Sequence, residues 1–130
     1  MKKIISIICV IIIGLSLSAC AKIAEPMVLP TAEKIKSIEV SKGFDDIICT
    51  DEKVIASFIQ KVNEAKPTSK KSVQDVPNVS EYTRVDLVQD GKLTSIFIYQ
   101  EDSNWYIEQA YQGIYETDKN ILDLLMDSLS

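Results

Sequence analysis

The side chains with the greatest capacity for acid–base chemistry are carboxylates, because the chain has 19 Asp and Glu residues and no histidine. A pair of carboxylates can hydrolyse a glycosidic bond when one donates a proton and the other acts as base or nucleophile. Asp86 and Glu108 are the candidate pair, since both fall on one face of a predicted sheet. No spacing in the sequence brings them together, so a carboxylate-based hydrolase is kept only as an alternative and we expect no enzymatic activity.

The sequence lacks the residues that other common catalytic and metal-binding sites require. Without histidine the chain cannot form the usual Ser-His-Asp or Cys-His arrangements, or a histidine-ligated zinc site. The acidic cluster at Asp45, Asp46, Asp51 and Glu52 lacks the alternating spacing of a calcium loop, and the sequence has no Gly-rich phosphate loop. We therefore expect no metal, no cofactor and no catalytic residues. A formal charge of −5 argues against nucleic acid as a partner.

A second set of residues has the chemistry of a binding surface. Tyrosine and arginine are enriched at binding hot spots because they combine a large contact area with directed hydrogen bonds. Alternation along three predicted strands places six aromatic and charged side chains on one sheet face: Tyr82, Arg84, Phe97, Tyr99, Tyr106 and Glu108. We expect this face to be exposed and to bind a partner, with Arg84 pairing an acidic group. The alternatives are that the aromatic pairs only stabilise the sheet, or that residues 110–116 fold over it.

The strands that carry these residues are fixed in register by Asp90-Gly91, a strong signal for a two-residue hairpin turn. This turn pairs Val85 with Ile96, and a second turn near residues 101–104 pairs Tyr99 with Tyr106. The face opposite the six residues then carries the apolar side chains that should form the core: Val85, Leu87, Ile96, Ile98, Trp105 and Ile107.

Seven elements follow one another in the order β-β-α-β-β-β-α. Two short strands, "IKSIEVS" and "DIICT", precede a helix with Thr50 as its N-cap and an apolar stripe from Val54 to Val62. Residues 67–80 form a polar loop, either solvated or used in recognition, and "AYQGIYET" is an irregular connector to a last helix capped by Thr117. We expect an α+β two-layer sandwich, in which two helices pack on one face of an antiparallel sheet of about five strands.

The first twenty residues, MKKIISIICVIIIGLSLSAC, have the positive start, short apolar run and small residues of a secretory signal peptide. The run is shorter than the roughly 20 apolar residues that span a bilayer, so an uncleaved anchor is the weaker alternative. Leu17-Ser18-Ala19-Cys20 resembles the lipobox of bacterial lipoproteins at all four positions. The resemblance implies that a diacylglyceryl group is attached to the Cys20 sulfur and that a signal peptidase cuts just before it.

This resemblance divides the chain into a signal peptide at 1–19, a lipidated cysteine with a flexible tether at 20–34, and a single domain at 35–130. It places the domain on the outer face of the bacterial cytoplasmic membrane, held there by the lipid on Cys20. Cys49 is then the one cysteine within the domain. We expect it to be a small core residue, with a reactive thiol as the alternative.

The segments NEAKPTSKKSVQDVPNV and WYIEQAYQGIYE resemble an uncharacterised domain found in small lipoproteins of low-GC Gram-positive bacteria. The resemblance covers residues 35–130 and implies a fold family and a location, but no activity. Because the sequence has no catalytic signature but has a sheet face with Tyr and Arg, we expect a non-enzymatic module that binds a protein, a peptide or a cell-wall fragment. An inhibitor or immunity-type protein that blocks a secreted enzyme is the alternative.

Overall fold

The computed structural model describes residues 22–43 and 45–127. In this part of the chain seven antiparallel strands form one sheet, in the spatial order β2-β1-β4-β5-β6-β7-β3. The strands are β1 (Ser37–Lys42), β2 (Asp45–Cys49), β3 (Lys66–Pro67), β4 (Thr83–Gln89), β5 (Lys92–Glu101), β6 (Asn104–Gln109) and β7 (Gly113–Thr117). The helices are α1 (Glu52–Asn63) and the short α2 (Asp123–Met126), with 3-10 turns at Ala32–Lys34 and Lys119–Leu122.

The predicted α+β class is confirmed, but the described sheet has seven strands where the sequence predicts about five. The additional strands are β3 and β7. β7 replaces the predicted irregular connector and pairs with β6, so that Tyr115 lies opposite Ile107. β3 has only two residues, too few to show an alternating pattern, and glycine at the start of β7 weakens the strand signal there.

The predicted register of β4, β5 and β6 is confirmed. Val85 pairs with Ile96, and Tyr99 pairs with Tyr106. Gly91 has a φ of 69°, which the tight turn between β4 and β5 requires. The predicted core side chains all pack in one cluster on the helix side of the sheet, with Trp105 half-buried: Val85, Leu87, Ile96, Ile98, Trp105 and Ile107. Cys49 is buried in the same core.

Helix α1 covers this core with the predicted apolar stripe, of which Ile55, Phe58, Ile59 and Val62 are buried. Its N-cap is Asp51 and not the predicted Thr50. The Asp51 carboxylate accepts hydrogen bonds from the backbone N–H groups of Lys53 and Val54. An acidic cap is also favoured by the positive end of the helix dipole.

The last helix begins later and is shorter than predicted. Thr117 pairs with Trp105 as the end of β7, so it belongs to the sheet and cannot cap a helix. The following 3-10 turn and α2 bury Ile121 and Leu125 in the core shared with α1. No helix in the described ranges has the length and apolar character needed to cross a membrane.

The segment before β1 packs against the domain, in contrast to the flexible tether predicted for residues 20–34. The backbone N–H and C=O of Val28 both bond to the side-chain amide of Gln109, at 2.8 Å each. The Tyr115 hydroxyl donates a hydrogen bond to the carbonyl of Glu25. The partners in each bond are more than 80 positions apart in the sequence, so no local sequence pattern could indicate the contact.

Candidate binding surface

The sheet face opposite the helices, here called the outer face, has two parts with different surroundings. The covered half consists of Tyr99, Tyr106, Glu108 and Ile114, which lie beneath the loop of residues 68–80. The open half consists of outward side chains on β2, β1, β4 and the first part of β5, most of them exposed or half-buried: Glu39, Ser41, Asp46, Ile48, Arg84, Asp86 and Ser95.

The six predicted binding residues lie on the outer face as expected, but they are not all accessible. Four of them have only 4% to 6% of their surface exposed: Phe97, Tyr99, Tyr106 and Glu108. For these four the prediction of an exposed face is wrong, because a distant loop and the neighbouring Tyr82 cover them. Tyr82 itself is 37% exposed, and the Arg84 side chain is 47% exposed.

A buried carboxylate ties the covering loop to the sheet. Glu108 Oε2 accepts a hydrogen bond from the Ser72 hydroxyl at 2.9 Å, and its Oε1 accepts one from the Tyr99 hydroxyl at 3.0 Å. A buried carboxylate is costly without such donors, so the two hydroxyls stabilise its position. Burial, followed by the nearby Glu108 carboxylate, raises the pKa of Tyr99. The Tyr99 hydroxyl therefore keeps its proton, and remains a donor, to a higher pH than an ordinary tyrosine.

Two further contacts hold the ends of the loop. The Lys70 ammonium lies 3.1 Å from Glu101 Oε1 and 4.3 Å from the centre of the Tyr106 ring, which combines an ion pair with a cation–π contact. The hydrogen bond to Glu101 raises the pKa of Lys70. At the other end of the loop, Val79 packs against the cluster of Tyr99, Tyr106 and Ile114. Residues 67–80, predicted to be a solvated or a recognition loop, thus pack on the chain's own sheet.

The turn between β6 and β7 supports the loop. Tyr111 donates its backbone N–H to the Ser72 hydroxyl at 3.1 Å and its own hydroxyl to the Asp75 carboxylate at 2.7 Å. Tyr115, in the segment 110–116 that is the alternative cover for the outer face, is paired with Ile107 on the helix side of the sheet. The cover is therefore the 68–80 loop, with the turn as its support.

Arg84 and Tyr82 are held in fixed positions while they remain accessible. Arg84 Nε donates to Asp86 Oδ1 at 2.9 Å, and the Ser95 hydroxyl donates to the same oxygen at 2.6 Å. The Tyr82 ring packs edge-on against Phe97, with 5.4 Å between the ring centres. Side chains that are already ordered lose less entropy when a partner binds them.

Tyr82 and Arg84 line a groove of about 920 Å³ at one end of the sheet, between the β1–β2 turn and the end of the loop. Lys42, Val79 and Trp105 also line it. Among its described lining residues are two cations, Lys42 and Arg84, and one carboxylate, so its wall is more positive than the protein as a whole. Sequence analysis missed Lys42, because only the folded chain brings it beside β4, and Val79, because a loop has no alternation to show where its side chain packs.

The structure separates the two carboxylates considered for hydrolysis. Asp86 lies on β4 and bonds to Arg84 and Ser95, whereas Glu108 lies on β6 and bonds to the covering loop. They thus belong to separate hydrogen-bond networks with β5 between them. In the described ranges, no group of three or more Asp, Glu or Cys side chains is placed to hold a metal ion.

An antiparallel sheet with helices on one face and a loop across the other defines a small two-layer α+β domain. The chain matches the model of the DUF5301 family, described as "Domain of unknown function (DUF5300)", over residues 23–116, and it belongs to that family. It is similar to the NMR structure of the protein from Ruminococcus gnavus, with 33% identity and a TM-score of 0.66 over 75% of this chain and 97% of that chain. No curated protein matches the chain.

The family match confirms the predicted membership in an uncharacterised domain family. The matched region begins at residue 23, ahead of the predicted domain start at 35. It therefore includes the segment that packs against Gln109 and Tyr115.

Proposed function

We propose that this protein is a lipid-anchored extracytoplasmic lipoprotein whose domain binds an extended, acidic segment of a partner protein. The proposed site is the groove at Tyr82 and Arg84. One observation carries this proposal: the two accessible members of the predicted binding set, both hot-spot residue types, line the same groove. An acidic partner is favoured because Lys42 adds a second cation to the groove of a protein with a net charge of −5.

Arg84 is suited to recognise a carboxylate. Its Nε is engaged with Asp86, but nearly half of the side chain remains exposed. The planar guanidinium has further N–H donors, which can form charge-assisted hydrogen bonds with a carboxylate on the partner. Tyr82 beside it offers an aromatic face for an apolar neighbour of that carboxylate.

A binding role is favoured over hydrolysis by the partners of the candidate carboxylates. Asp86 serves to orient Arg84, and Glu108 serves to hold the loop. A retaining or inverting hydrolase needs two carboxyl groups that flank one bond in a shared cleft. The positions of these two residues on either side of β5 do not supply such a cleft.

The lipid anchor is supported by the sequence of residues 1–20. Cys20 lies outside the described residues, so chemistry must test it. Cells fed an alkynyl fatty acid should label the wild-type protein, and Cys20→Ser should abolish the label and release the protein from the membrane fraction. Equal labelling of both would contradict the anchor.

The groove is tested by a photo-crosslinking residue placed at position 82 of the full lipoprotein in cells. Position 53, exposed on α1, is the matched control. We expect a discrete adduct at 82, none at 53, and at least a fivefold loss of the adduct in Arg84→Gln. Equal adducts at both positions, or an adduct unaffected by Arg84→Gln, would contradict the proposal. If the captured protein is a secreted enzyme, its activity with added domain distinguishes an inhibitor from a docking module.

A further inference from the structure

The first described residues lie beside the β6–β7 turn, at one end of the folded domain. Ala24 donates its backbone N–H to the Thr68 carbonyl at 2.9 Å, and the Gln112 side-chain amide donates to the Pro26 carbonyl at 2.8 Å. Gly113 allows this approach, because a Cβ at that position would lie 2.5 Å from the Ala24 Cβ. The chain is therefore fixed to this end of the domain from Ala24 onward.

The connection between the lipid and this contact is short. Ala24 is the fourth residue after Cys20, and four fully extended residues span at most about 14 Å. This inference rests on the lipid anchor of the proposed function. With that anchor in place, the β6–β7 end lies within about 14 Å of the headgroup layer. A tether that lifts the domain away from the membrane is then excluded.

Apolar side chains surround the same end. Tyr111, at the tip of the turn, is 66% exposed, and Val73, which follows the Ser72 that bonds to Tyr111, is 68% exposed. Ile23 and Val28, in the segment that crosses the turn, are exposed to a similar degree. Tyrosine is enriched where a bilayer meets water, because its ring is apolar and its hydroxyl is polar. These side chains match the chemistry of a lipid interface.

Tyr111 is also held in a backbone conformation that a bulky side chain rarely adopts, with a φ of 62°. The hydrogen bonds to Ser72 and Asp75 fix it there. Two thirds of the residue faces solvent, so a side chain in this fixed position remains accessible for contact with lipid.

The β4–β5 and β6–β7 turns lie at this end of the sheet, and the groove lies at the opposite end. Phe97 pairs with Glu108 near the end of β6, so residues 92–95 of β5 extend beyond it on the same side as the β6–β7 turn. Trp105, which lines the groove, lies at the opposite end of β6. A membrane beneath the two hairpin turns therefore leaves the groove facing away from it.

We propose that the β6–β7 end of the domain rests on the bilayer interface, with Ile23, Val28, Val73 and Tyr111 in contact with lipid. The groove then opens toward the extracytoplasmic space, where a partner protein can reach it. This deepens the proposed function by giving the binding site a fixed orientation.

The lipid contact is mainly apolar. Lys22 and Lys71 are exposed near this end together with Glu25 and Asp75. At the β4–β5 turn of the same end, Lys36 forms an ion pair with Asp90 beside the exposed Lys92. Attraction and repulsion by anionic headgroups therefore largely offset each other. The contact should persist at high salt, which screens charges but not apolar burial.

The test uses the full lipoprotein in vesicles of phosphatidylethanolamine and phosphatidylglycerol that contain a lipid with a quenching doxyl group. A fluorophore is attached to a cysteine introduced by Tyr111→Cys, or by Lys42→Cys at the groove end as the matched control. Wild-type protein measures background labelling, since Cys49 is buried. We expect quenching at 111 to exceed quenching at 42 at least threefold, in low and in high salt. Equal quenching at the two positions would overturn the orientation.

A second variant tests whether apolar contact with lipid holds the β6–β7 end on the bilayer, or whether the short connection to Cys20 alone keeps it there. Ten Gly and Ser residues inserted between Ala21 and Lys22 lengthen the connection without changing the domain. If apolar contact holds the end on the bilayer, most of the quenching at 111 remains. A fall to the level at 42 would overturn the lipid contact.

Fatty-acid labelling and quenching together distinguish a missing lipid anchor from a wrong orientation of the domain. A wild-type protein that takes no fatty-acid label overturns both, because the domain then has no membrane to rest on. A lipidated protein with equal quenching at both positions overturns the orientation and leaves the anchor and the groove standing.

Discussion

The covered and open halves of the outer face belong to one sheet and share β5, yet they present different side chains. The covered half presents Tyr99, Tyr106 and Ile114, and the chain's own loop lies over them. The open half presents charged and hydroxyl groups such as Arg84 and Ser95, which water can solvate. Rows of aromatic residues on an outer face thus indicate a contact, and here the contact is intramolecular.

The boundary between the halves carries Tyr82 and Arg84, the accessible members of the predicted binding set. Tyr82 packs on Phe97 and borders the groove, and Arg84 faces it from the next position on the same face. A partner can gain contact area there without displacing the loop. The comparison therefore links the covered half to stability, whereas the proposed binding site lies at its border with the open half.

The largest difference between the halves should appear when equal side chains are truncated. Ile114→Ala, in the covered half, should lower the free energy of unfolding by about 2–4 kcal/mol, because it leaves a cavity under the loop. Ile48→Ala, in the open half, is the matched control and should stay within about 0.5 kcal/mol. Urea unfolding of the domain measures both. Similar losses would show that the two halves are not distinct in packing.

Removing one hydroxyl from the loop over the covered half, and one from the open half, tests what holds the 68–80 loop on the sheet. Ser72→Ala removes a donor to the buried Glu108 carboxylate and should favour loop opening by about 1–3 kcal/mol. Limited trypsin digestion after Lys70 and Lys71 should then be at least fivefold faster. Ser95→Ala, whose hydroxyl bonds to Asp86 in the open half, should leave the digestion rate unchanged. Equal rates in the two variants would contradict the role of Ser72.

Alkaline pH should weaken the covered half through Tyr99. An unfolded tyrosine ionises near pH 10, whereas burial and then Glu108 raise the pKa of Tyr99 in the fold. Above about pH 10 the unfolded chain loses this proton while the folded chain keeps it, so stability falls as pH rises. Between pH 9 and pH 11, wild type should lose about 1 kcal/mol more unfolding free energy than Tyr99→Phe. Parallel urea titrations check this, and equal losses would remove Tyr99 as the cause.

The smallest change in stability is expected at the border. Arg84→Gln breaks an ion pair with Asp86 that is partly exposed, so the free energy of unfolding should fall by no more than about 1 kcal/mol. The same variant should lose most of the photo-crosslink at position 82. Lys53→Gln, on the exposed side of α1, is the control for loss of a surface cation. A large loss of stability in Arg84→Gln would assign Arg84 a structural role.

Local patterns were sufficient to predict the central meander and the main helix. The Asp90-Gly91 turn and the alternation around Val85 and Ile96 determined the register, because each depends on neighbours within a few residues. The helix stripe at Phe58 and Val62 was equally local. β7 was missed because it has only five residues and begins with a glycine, which weakens the strand signal.

The candidate site was predictable only in part. Strand alternation placed Tyr99 and Glu108 on the outer face correctly, but exposure depends on what lies above that face. The cover reaches Glu108 through Ser72, 36 positions away, and a contact between distant residues leaves no periodic signal. The groove likewise needs the β1–β2 turn beside Tyr82, which only the strand order β1-β4 provides.

The bonds of the segment before β1 also set an order of events during synthesis. Val28 bonds to Gln109, 81 positions later, and Glu25 accepts from Tyr115, 90 positions later. These bonds form only after β6 and β7 exist, and closing so long a loop costs conformational entropy. While the chain is still emerging, this segment therefore has no docking site to enter.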